Sequence, residues 1–220
     1  MSKIIPEITE KFEIVLASSS ARRYEIVHDI MGFSETTIMK PSFEEDLDKT
    51  LYEGRPVDYV IDTSRGKADS ILDDLKDDKK VNLRPKIVIC ADTIVIDEND
   101  TIHEKPKIEE VQLRNLEAFC KSKDPVRVAT AVNIILWRGP DQYEISSFHD
   151  ITELYFDHDL PSDIVRDFVR SHNSLEVAGG FQVQTFGGCM IPRINGDYYN
   201  VVGLPLNKTF KTIYTFAKRT

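Results

Sequence analysis

The stretch Lys86-Ile-Val-Ile-Cys-Ala-Asp-Thr-Ile-Val-Ile96 decides the fold, because no other part of the chain predicts a buried β-strand as strongly. A short apolar run rich in β-branched residues is typical of a strand that is covered on both faces. One charged residue, Asp92, interrupts the run. Since an unpaired carboxylate is expensive to bury, we expect Asp92 to have a partner or a chemical role.

Predicted strands and helices alternate on both sides of this stretch. Strands are predicted at residues 12–17, 35–39, 126–137 and 144–156, the last two around a turn at residues 139–141. Helices are predicted at residues 21–31, 56–78, 109–121, 161–172 and 205–218. A glycine-rich loop at residues 176–188 precedes a predicted hairpin, residues 190–194 and 198–202, around Asn195-Gly196. Alternation early in the chain and clustered strands later predict an α/β protein with a mixed sheet.

Length and composition place the chain among ordinary globular proteins. Its 220 residues are 41% hydrophobic and 30% charged, which predicts one domain over residues 1–220. No run approaches the roughly 18 apolar residues of a membrane helix, and residues 1–11 are too polar for a signal peptide. Three widely spaced cysteines fit neither a disulfide framework nor a metal site, so a cytoplasmic protein is expected.

Charge argues against a partner that is a nucleic-acid polymer. The net charge is -9, whereas proteins that bind DNA or RNA usually present a basic surface. A polyanion would therefore bind in a small local pocket.

One such pocket is predicted where Ser18-Ser19-Ser20 runs into Arg22-Arg23 at the start of a helix. Backbone N–H groups and the helix dipole favour an anion there, and arginine forks match phosphate oxygens. The alternative is a serine N-cap, Ser19 or Ser20, followed by two solvated arginines. The residues alone leave both open.

Four further features each allow more than one interpretation. Asp92 could hold a divalent metal or act as a general base, or it could cap a loop or pair with an arginine. Lys105, beside a proline, could reach a phosphate, and Glu44-Glu45 is either part of a site or a solvated acidic loop. In the segment Ala178–Gln184, glycines would let the backbone approach a ligand and Gln184 could contact a base edge, although a flexible turn fits as well.

Several other chemistries find no support. The glycine-rich segment lacks the Gly-Lys-Ser/Thr ending of a P-loop. The five histidines show no zinc spacing, and neither a Gly-x-Ser-x-Gly elbow nor a Cys–His pair stands out.

Taken in order, these motifs resemble the Maf family of nucleoside triphosphate pyrophosphatases over most of the chain. The motifs run from residue 16 to about 206, and the region that carries them is placed at residues 11–206. The resembling segments are Leu16-Ala-Ser-Ser-Ser-Ala-Arg-Arg23, Ser42-Phe-Glu-Glu45, Gly66-Lys67-Ala68, Ala91-Asp92-Thr93, Glu104-Lys105-Pro106, Ala178–Gln184 and Ile194–Pro205. The chain departs from the family pattern at Ala21, where proline is usual, at Val177, where lysine is usual, and at Val126, where histidine is common.

The resemblance implies an elongated, two-lobed fold similar to that of inosine triphosphatases, with a central mixed sheet and a cleft between the lobes. It implies hydrolysis of dTTP- or UTP-type nucleotides, standard or modified, to the monophosphate and pyrophosphate, and a possible homodimer. Asp92 would activate water. Glu45 and Asp92 would hold Mg²⁺ or Mn²⁺, whose preferred ligands are oxygens. The substrate would be bound by Ser18, Arg22, Arg23, Lys67, Lys105 and, at its base, Gln184.

Two other functions remain open at this point. The missing lysine at Val177 keeps a catalytically weak, nucleotide-binding regulatory protein in consideration. A phosphatase that releases single phosphates would yield orthophosphate, but the Asp-x-Asp motif of one large phosphatase class is absent around Asp92.

Overall fold

A computed structural model describes residues 3–77, 84–172 and 174–219. The α-helices are α1 (Ile4–Lys11), α2 (Ala21–Glu25), α3 (Pro56–Asp77), α4 (Glu109–Lys121), α5 (Ser162–Arg170), α6 (Tyr198–Val202) and α7 (Leu206–Lys218). The strands are β1 (Glu13–Ala17), β2 (Thr37–Ile38), β3 (Lys86–Ile96), β4 (Ile102–His103), β5 (Val126–Gly139), β6 (Gln142–Tyr155) and β7 (Arg193–Asn195). Shorter helical turns lie at Ile26–Ile30, Lys49–Tyr52, Ala178–Gly180 and Phe186–Met190.

The strands form one mixed sheet in the order β2-β1-β3-β5-β6-β7, with β4 paired to one end of β3. The pairs β1–β2 and β1–β3 are parallel, whereas β3–β5, β5–β6 and β6–β7 are antiparallel. The predicted α/β class with a mixed sheet is confirmed. No helix within the described ranges is both long enough and apolar enough to cross a membrane.

Helices cover both faces of the sheet, and the core divides accordingly. One face packs against α3 through two apolar clusters. The opposite face carries one cluster with α1, α2 and α7 and another with α4 and α5. These last two clusters contact different segments of β3 and β5. The cluster with α1, α2 and α7 marks the first of the two lobes that the family resemblance implies, and the cluster with α4 and α5 marks the second lobe.

Most predicted elements match the structure closely. The bounds of β3 and α4 are as predicted, and α3 ends at Asp77, with the predicted end at Asp78 outside the described residues. The helix predicted at residues 21–31 changes after Glu25 to the wider π geometry at Ile26–Ile30. Two elements, α1 and β4, were not predicted.

The hairpin predicted around Asn195-Gly196 is wrong in its second half. Residues 193–195 do form a strand, but they pair with β6, and Tyr198–Val202 is helical. The Asp197 side chain caps this helix by accepting hydrogen bonds from the backbone N–H groups of Tyr199, at 2.7 Å, and Asn200, at 3.4 Å. Gly196 has a φ of +131°, and a Cβ there would lie 2.8 Å from Thr152 Oγ1. The glycine therefore allows close approach to β6 rather than a two-residue hairpin turn.

Candidate active site

The candidate site opens where one edge of β3 lacks a neighbouring strand. On that edge, β1 pairs with β3 as far as Cys90, and the pairing of β3 with β4 begins at Val95. Among the described strands, residues 91–94 of β3 pair only with β5, on the other side. This gap lets side chains from both faces of β3 reach the same cleft.

Two adjacent polar residues occupy the gap and point to opposite faces, as alternation along a strand requires. On the α3 face, Asp92 lies between Cys90 of one apolar cluster and Ile94 of the other. On the opposite face, Thr93 separates the clusters of the two lobes. The cleft thus lies at the boundary between the apolar clusters on both faces.

The turn after β1 is built as the sequence predicts for a helix start. Ser20 is the N-cap of α2, and its hydroxyl accepts a hydrogen bond from the Arg23 N–H. The Ser18 hydroxyl accepts one from the Ser20 N–H at 3.2 Å. Arg22 is half-buried and lines the cleft, whereas Arg23 is buried. The solvated-arginine alternative therefore fails for Arg23.

A buried lysine joins two carboxylates at the centre of the cleft. Lys67 Nζ of α3 donates to Asp92 Oδ1 at 2.7 Å and lies 2.8 Å from Glu45 Oε1. The Lys67 and Asp92 side chains are only 7% and 11% exposed, whereas Glu45 is 53% exposed. Partial burial would raise the pKa of Glu45, but the nearby charges of Lys67, Lys105 and Arg23 outweigh it and hold that pKa below its ordinary value.

Glu45 is positioned by a contact that the sequence does not reveal. Phe43 packs against Gly66 of α3 so closely that a Cβ at Gly66 would lie 2.4 Å from the Phe43 ring. A glycine inside a helix is destabilising, but here it makes room for the ring. Phe43 lies two residues before Glu45, and Gly66 lies one residue before Lys67. The contact between Phe43 and Gly66 therefore places Glu45 and Lys67 opposite each other.

A second polar cluster lies along the cleft wall. Glu104 accepts hydrogen bonds from Tyr59 Oη at 2.7 Å and from Lys49 Nζ at 2.5 Å. Burial, and then the hydrogen bond to Glu104, raises the pKa of Tyr59, which keeps its phenol a donor. The next residue, Lys105, is exposed and lines the cleft; its contact with a phosphate stays a prediction.

The cleft has a volume of about 740 Å³ and concentrates positive charge. Among the residues that the structure describes, six cationic and four carboxylate side chains line it, in a chain whose net charge is -9. They are Arg22, Arg23, Lys40, Lys67, Lys105 and Lys107, with Glu45, Asp92, Glu104 and Glu176. Lys40 and Lys107 were not singled out from the sequence, because isolated lysines carry no distinguishing pattern.

The far end of the cleft is apolar. Val95, Val128 and Phe181 line it and belong to the core cluster of the second lobe, and Val177, Ala178 and Val201 line it as well. Gln184, predicted to contact a base, is not brought here: it is exposed, lies outside the cleft lining, and donates to Gln182 Oε1 at 3.3 Å.

The departures from the family pattern lie in different environments. Val126 is 1% exposed in the core of the second lobe, away from the cleft lining. Val177 does line the cleft, at its apolar end. Ala21 is exposed at the first turn of α2.

The donors in the cleft suit a divalent cation only in part. Asp92 and Glu45 each engage Lys67 with one oxygen, and their second oxygens accept no hydrogen bond from any described residue. One or two carboxylates completed by phosphate oxygens are a usual set for Mg²⁺. Within the described ranges, no three His, Cys, Asp or Glu side chains group as a metal site. The residues present fit a cation that arrives with a phosphate ligand.

Comparison with known proteins places the chain in one family and identifies similar proteins. A family model described as Maf-like protein matches residues 13–216. A dTTP/UTP pyrophosphatase of Saccharomyces cerevisiae is 49% identical, covering 97% of this chain and 94% of its own. A dTTP/UTP pyrophosphatase of Schizosaccharomyces pombe is 35% identical, covering 90% of this chain and 81% of its own.

A solved structure of the Staphylococcus aureus Ham1 protein is 14% identical and covers 66% of this chain and 72% of its own, with a TM-score of 0.36. A HAM1 protein from Coxiella burnetii is 13% identical and covers 95% of this chain and all 100% of its own, also with a TM-score of 0.36. Likeness at this level carries no inference about function.

Proposed function

Because the chain belongs to the Maf-like protein family, we propose that it hydrolyses dTTP and UTP to the nucleoside monophosphate and pyrophosphate. The observation that carries the proposal is the cleft itself, in which cationic side chains surround an aspartate held by a buried lysine. The names of the yeast relatives support the choice of nucleotide.

The triphosphate would lie along the cationic part of the cleft. Arg22 presents a guanidinium that makes no hydrogen bond with any described residue, and Ser18 and Lys105 lie on the same lining. Arginine forks bind phosphate oxygens bidentately, and lysines act as point charges. Fixed cations of this kind stabilise the charge that develops during phosphoryl transfer.

Asp92 is our candidate for the residue that activates water. A carboxylate can act as a general base toward a water molecule within hydrogen-bond reach. One oxygen of Asp92 is held by Lys67, so the carboxylate is fixed in orientation while its second oxygen remains available. A triphosphate carries more negative charge than the Glu45 carboxylate, and Lys67 can therefore shift part of its interaction to the substrate.

Glu45 and Asp92 would hold Mg²⁺ or Mn²⁺ together with phosphate oxygens. Such a cation, when bound, neutralises phosphate charge and orients the triphosphate. Glu45 is suited to this role because its pKa is lowered, which keeps it ionised, and because its exposed carboxylate faces the cleft.

The nucleobase would occupy the apolar end of the cleft. Val95, Val128 and Phe181 provide a buried apolar lining of the kind that small-molecule sites use. We assign base contact to this surface instead of Gln184, whose side chain points elsewhere.

The test is a panel of nucleoside triphosphates with Mg²⁺ or Mn²⁺, with pyrophosphate and orthophosphate measured separately. Pyrophosphate from dTTP and UTP, and its loss in Asp92→Asn but not in Asp69→Asn on the exposed side of α3, supports the proposal. Orthophosphate as the first product would indicate a phosphatase. Tight nucleotide binding without turnover would favour the regulatory alternative, and no turnover of any nucleotide would refute the proposed activity.

We also propose a cytoplasmic location and self-association as secondary expectations. Cys90, Cys120 and Cys189 are all free thiols, which suits a reducing compartment. The outer edge of β6 over residues 142–152 has no strand partner among the described residues, so it is available to a second copy. Sedimentation of the purified protein would show whether it is a dimer.

A further inference from the structure

We propose that Arg23 is a positioning residue, which holds Ser18 as a hydrogen-bond donor toward the substrate, and that the closing segment of the chain acts on the reaction through Arg23. This inference rests on the proposed function. It separates the roles of two adjacent arginines that the sequence does not distinguish.

The donors of Arg23 are largely used within the protein. Its Nε donates to Gly203 O at 2.9 Å, its Nη1 to Ser18 Oγ at 3.2 Å and its Nη2 to Thr93 Oγ1 at 2.9 Å. A guanidinium has five N–H donors, and three of them here reach three separate parts of the chain. Arg23 is 9% exposed, and burial lowers its pKa while Asp92 and Glu45 raise it.

Arg22 is the contrasting neighbour. It makes no hydrogen bond or ion pair with any described residue, it is only half-buried, and it lines the same cleft. Burial, and then the charge of Arg23, lowers its pKa, so an anion placed beside it would relieve repulsion between the two cations. Arg22 therefore has its whole fork available for phosphate.

Ser18 is the residue on which Arg23 acts. Its hydroxyl accepts from Arg23 Nη1 and from the Ser20 N–H, at 3.2 Å in both cases. A hydroxyl has two acceptor lone pairs and one proton. With both lone pairs engaged, the Ser18 proton is left to donate, and no described residue accepts it. Ser18 is 8% exposed and lines the cleft, so its hydroxyl is available to donate to a phosphate oxygen bound there.

The closing segment supplies the anchor on the other side. Asn200 of α6 is buried, and its Nδ2 donates to Val128 O and to Thr152 Oγ1, both at 2.9 Å. These bonds fix α6 on the sheet. The helix ends at Gly203, whose φ of +128° turns the backbone so that its carbonyl meets Arg23 Nε. Residues 195–203 are thus hydrogen-bonded to the turn after β1 through the guanidinium of Arg23.

Thr93 completes the arrangement from the sheet. Its hydroxyl accepts from Arg23 and lies 3.0 Å from Thr130 Oγ1 and 3.3 Å from Gly203 O. Thr93→Val keeps the side-chain shape and removes the acceptor, whereas Thr93→Ser keeps the hydroxyl. This pair tests the role of Arg23 without removing its charge.

The decisive experiment is a set of mutant cycles that combine Arg22→Lys, Arg23→Lys and Ser18→Ala. If Arg23 acts through Ser18, Arg23→Lys and Ser18→Ala each lower kcat for dTTP by about tenfold or more, and the double variant is little worse than either single one. Arg22 and Ser18 would each bind phosphate independently, so the effects of Arg22→Lys and Ser18→Ala on kcat should multiply. Arg127→Lys is the matched control, since Arg127 hydrogen-bonds Asp97 O and Asp100 outside the cleft.

Binding of inorganic tripolyphosphate, measured by calorimetry, gives a second readout that does not depend on turnover. We expect Arg22→Lys to weaken binding by about tenfold with an unchanged Tm. Arg23→Lys should lower Tm and speed hydrogen exchange over residues 199–206, with a smaller loss of tripolyphosphate affinity. Thr93→Val should reproduce the Arg23→Lys pattern, and Thr93→Ser should recover most of it.

Multiplicative effects of Arg23→Lys and Ser18→Ala would overturn the inference, as would unchanged hydrogen exchange at residues 199–206 in Arg23→Lys. If Arg23→Lys fails to fold, the Thr93 pair in combination with Ser18→Ala decides by the same additivity criterion. A wild-type protein that binds no tripolyphosphate and cleaves no nucleotide refutes the proposed function instead, and the exchange data then decide on the anchoring role of Arg23 alone.

Discussion

Gly66→Ala should lower activity while leaving the protein about as stable as before. In an exposed helix interior this exchange stabilises by roughly 1 kcal/mol, because alanine is the better helix former. Here the new Cβ would lie 2.4 Å from the Phe43 ring, whereas carbon atoms pack best at about 3.5–4.0 Å. The ring must therefore move by about 1–1.5 Å. Its lost packing offsets the helix gain, so Tm should change by less than about 4 °C.

The functional effect is larger because Phe43 fixes the loop that carries Glu45. A shift of this size would break the 2.8 Å contact between Glu45 Oε1 and Lys67 Nζ. Misplacing a group in an active site by about 1 Å can cost up to roughly 100-fold in rate, or about 2.7 kcal/mol. We therefore expect kcat/KM for dTTP, measured as pyrophosphate release, to fall by about 10- to 100-fold.

Two variants make this prediction specific. Asp69→Ala lies on the exposed side of the same helix and raises its helix propensity without touching the cleft, so its kcat/KM should stay unchanged. Gly66→Ala combined with Phe43→Leu removes most of the clash and should recover part of the lost activity. If Gly66→Ala alone raises Tm and keeps the wild-type kcat/KM, the contact does not position Glu45 and the reasoning fails.

Four further results are expected. Asp92→Asn should lower kcat by roughly 10²–10⁴-fold, the range for losing a general base, and full retention of rate would remove Asp92 from the mechanism. The pKa of Glu45 lies below its ordinary value of 4.5, because the lowering by Lys67 exceeds the raising effect of burial. The ion pair of Glu45 with Lys67 therefore stabilises the protein fully above about pH 4.5, and this stabilisation is lost as the pH falls through the lowered pKa. Urea unfolding should accordingly show Glu45→Gln less stable than the wild type at pH 7, with the difference vanishing in acid; a difference independent of pH would contradict the ion pair. Asn200→Ala leaves two buried acceptors unpaired and should cost about 3 kcal/mol, or roughly 6–12 °C in Tm by calorimetry; a change under about 2 °C would show that α6 is not held by this side chain. Gln184→Ala should leave the ratio of kcat/KM for dTTP and dCTP unchanged within about twofold, since its side chain lies outside the cleft; a changed ratio would restore it as a base contact.

The fold was predictable wherever a local pattern determines the structure. The apolar run at Lys86–Ile96 gave β3, and the spacing of apolar residues after Pro56 gave α3. The prediction failed at Tyr198–Val202, where apolar and aromatic residues are equally compatible with a strand. The outcome there depends on the Asp197 cap and on the burial of Asn200 against β5, and only the second of these is a tertiary contact. The cap could have been found from the sequence, since aspartate is a preferred N-cap.

The candidate site was predictable in its residue types but not in its pairings. Asp92 was expected to need a partner, and an arginine was one candidate, but the partner is Lys67, 25 positions away on α3. Its contact with Glu45 depends in turn on Phe43 and Gly66, which no charge pattern would indicate. The sequence did not show that Gln184 lies outside the cleft lining. A motif shows which residue types occur together, but it does not show the direction of a side chain in an irregular loop.

The position of the cleft, in contrast, follows from the strand that decides the fold. Successive residues of a strand point to opposite faces, so two adjacent polar residues within an apolar run must interrupt the core on both faces at one level. Asp92 is buried on the α3 face, where Lys67 donates to it, and Thr93 lies on the opposite face, where Arg23 donates to it. At the same level one edge of β3 is open, between Cys90, the last residue that pairs with β1, and Val95, the first that pairs with β4. A cleft at that opening takes the Asp92 carboxylate with Lys67 from the α3 side and the Thr93 hydroxyl with Arg23 from the other, so side chains from both faces line it.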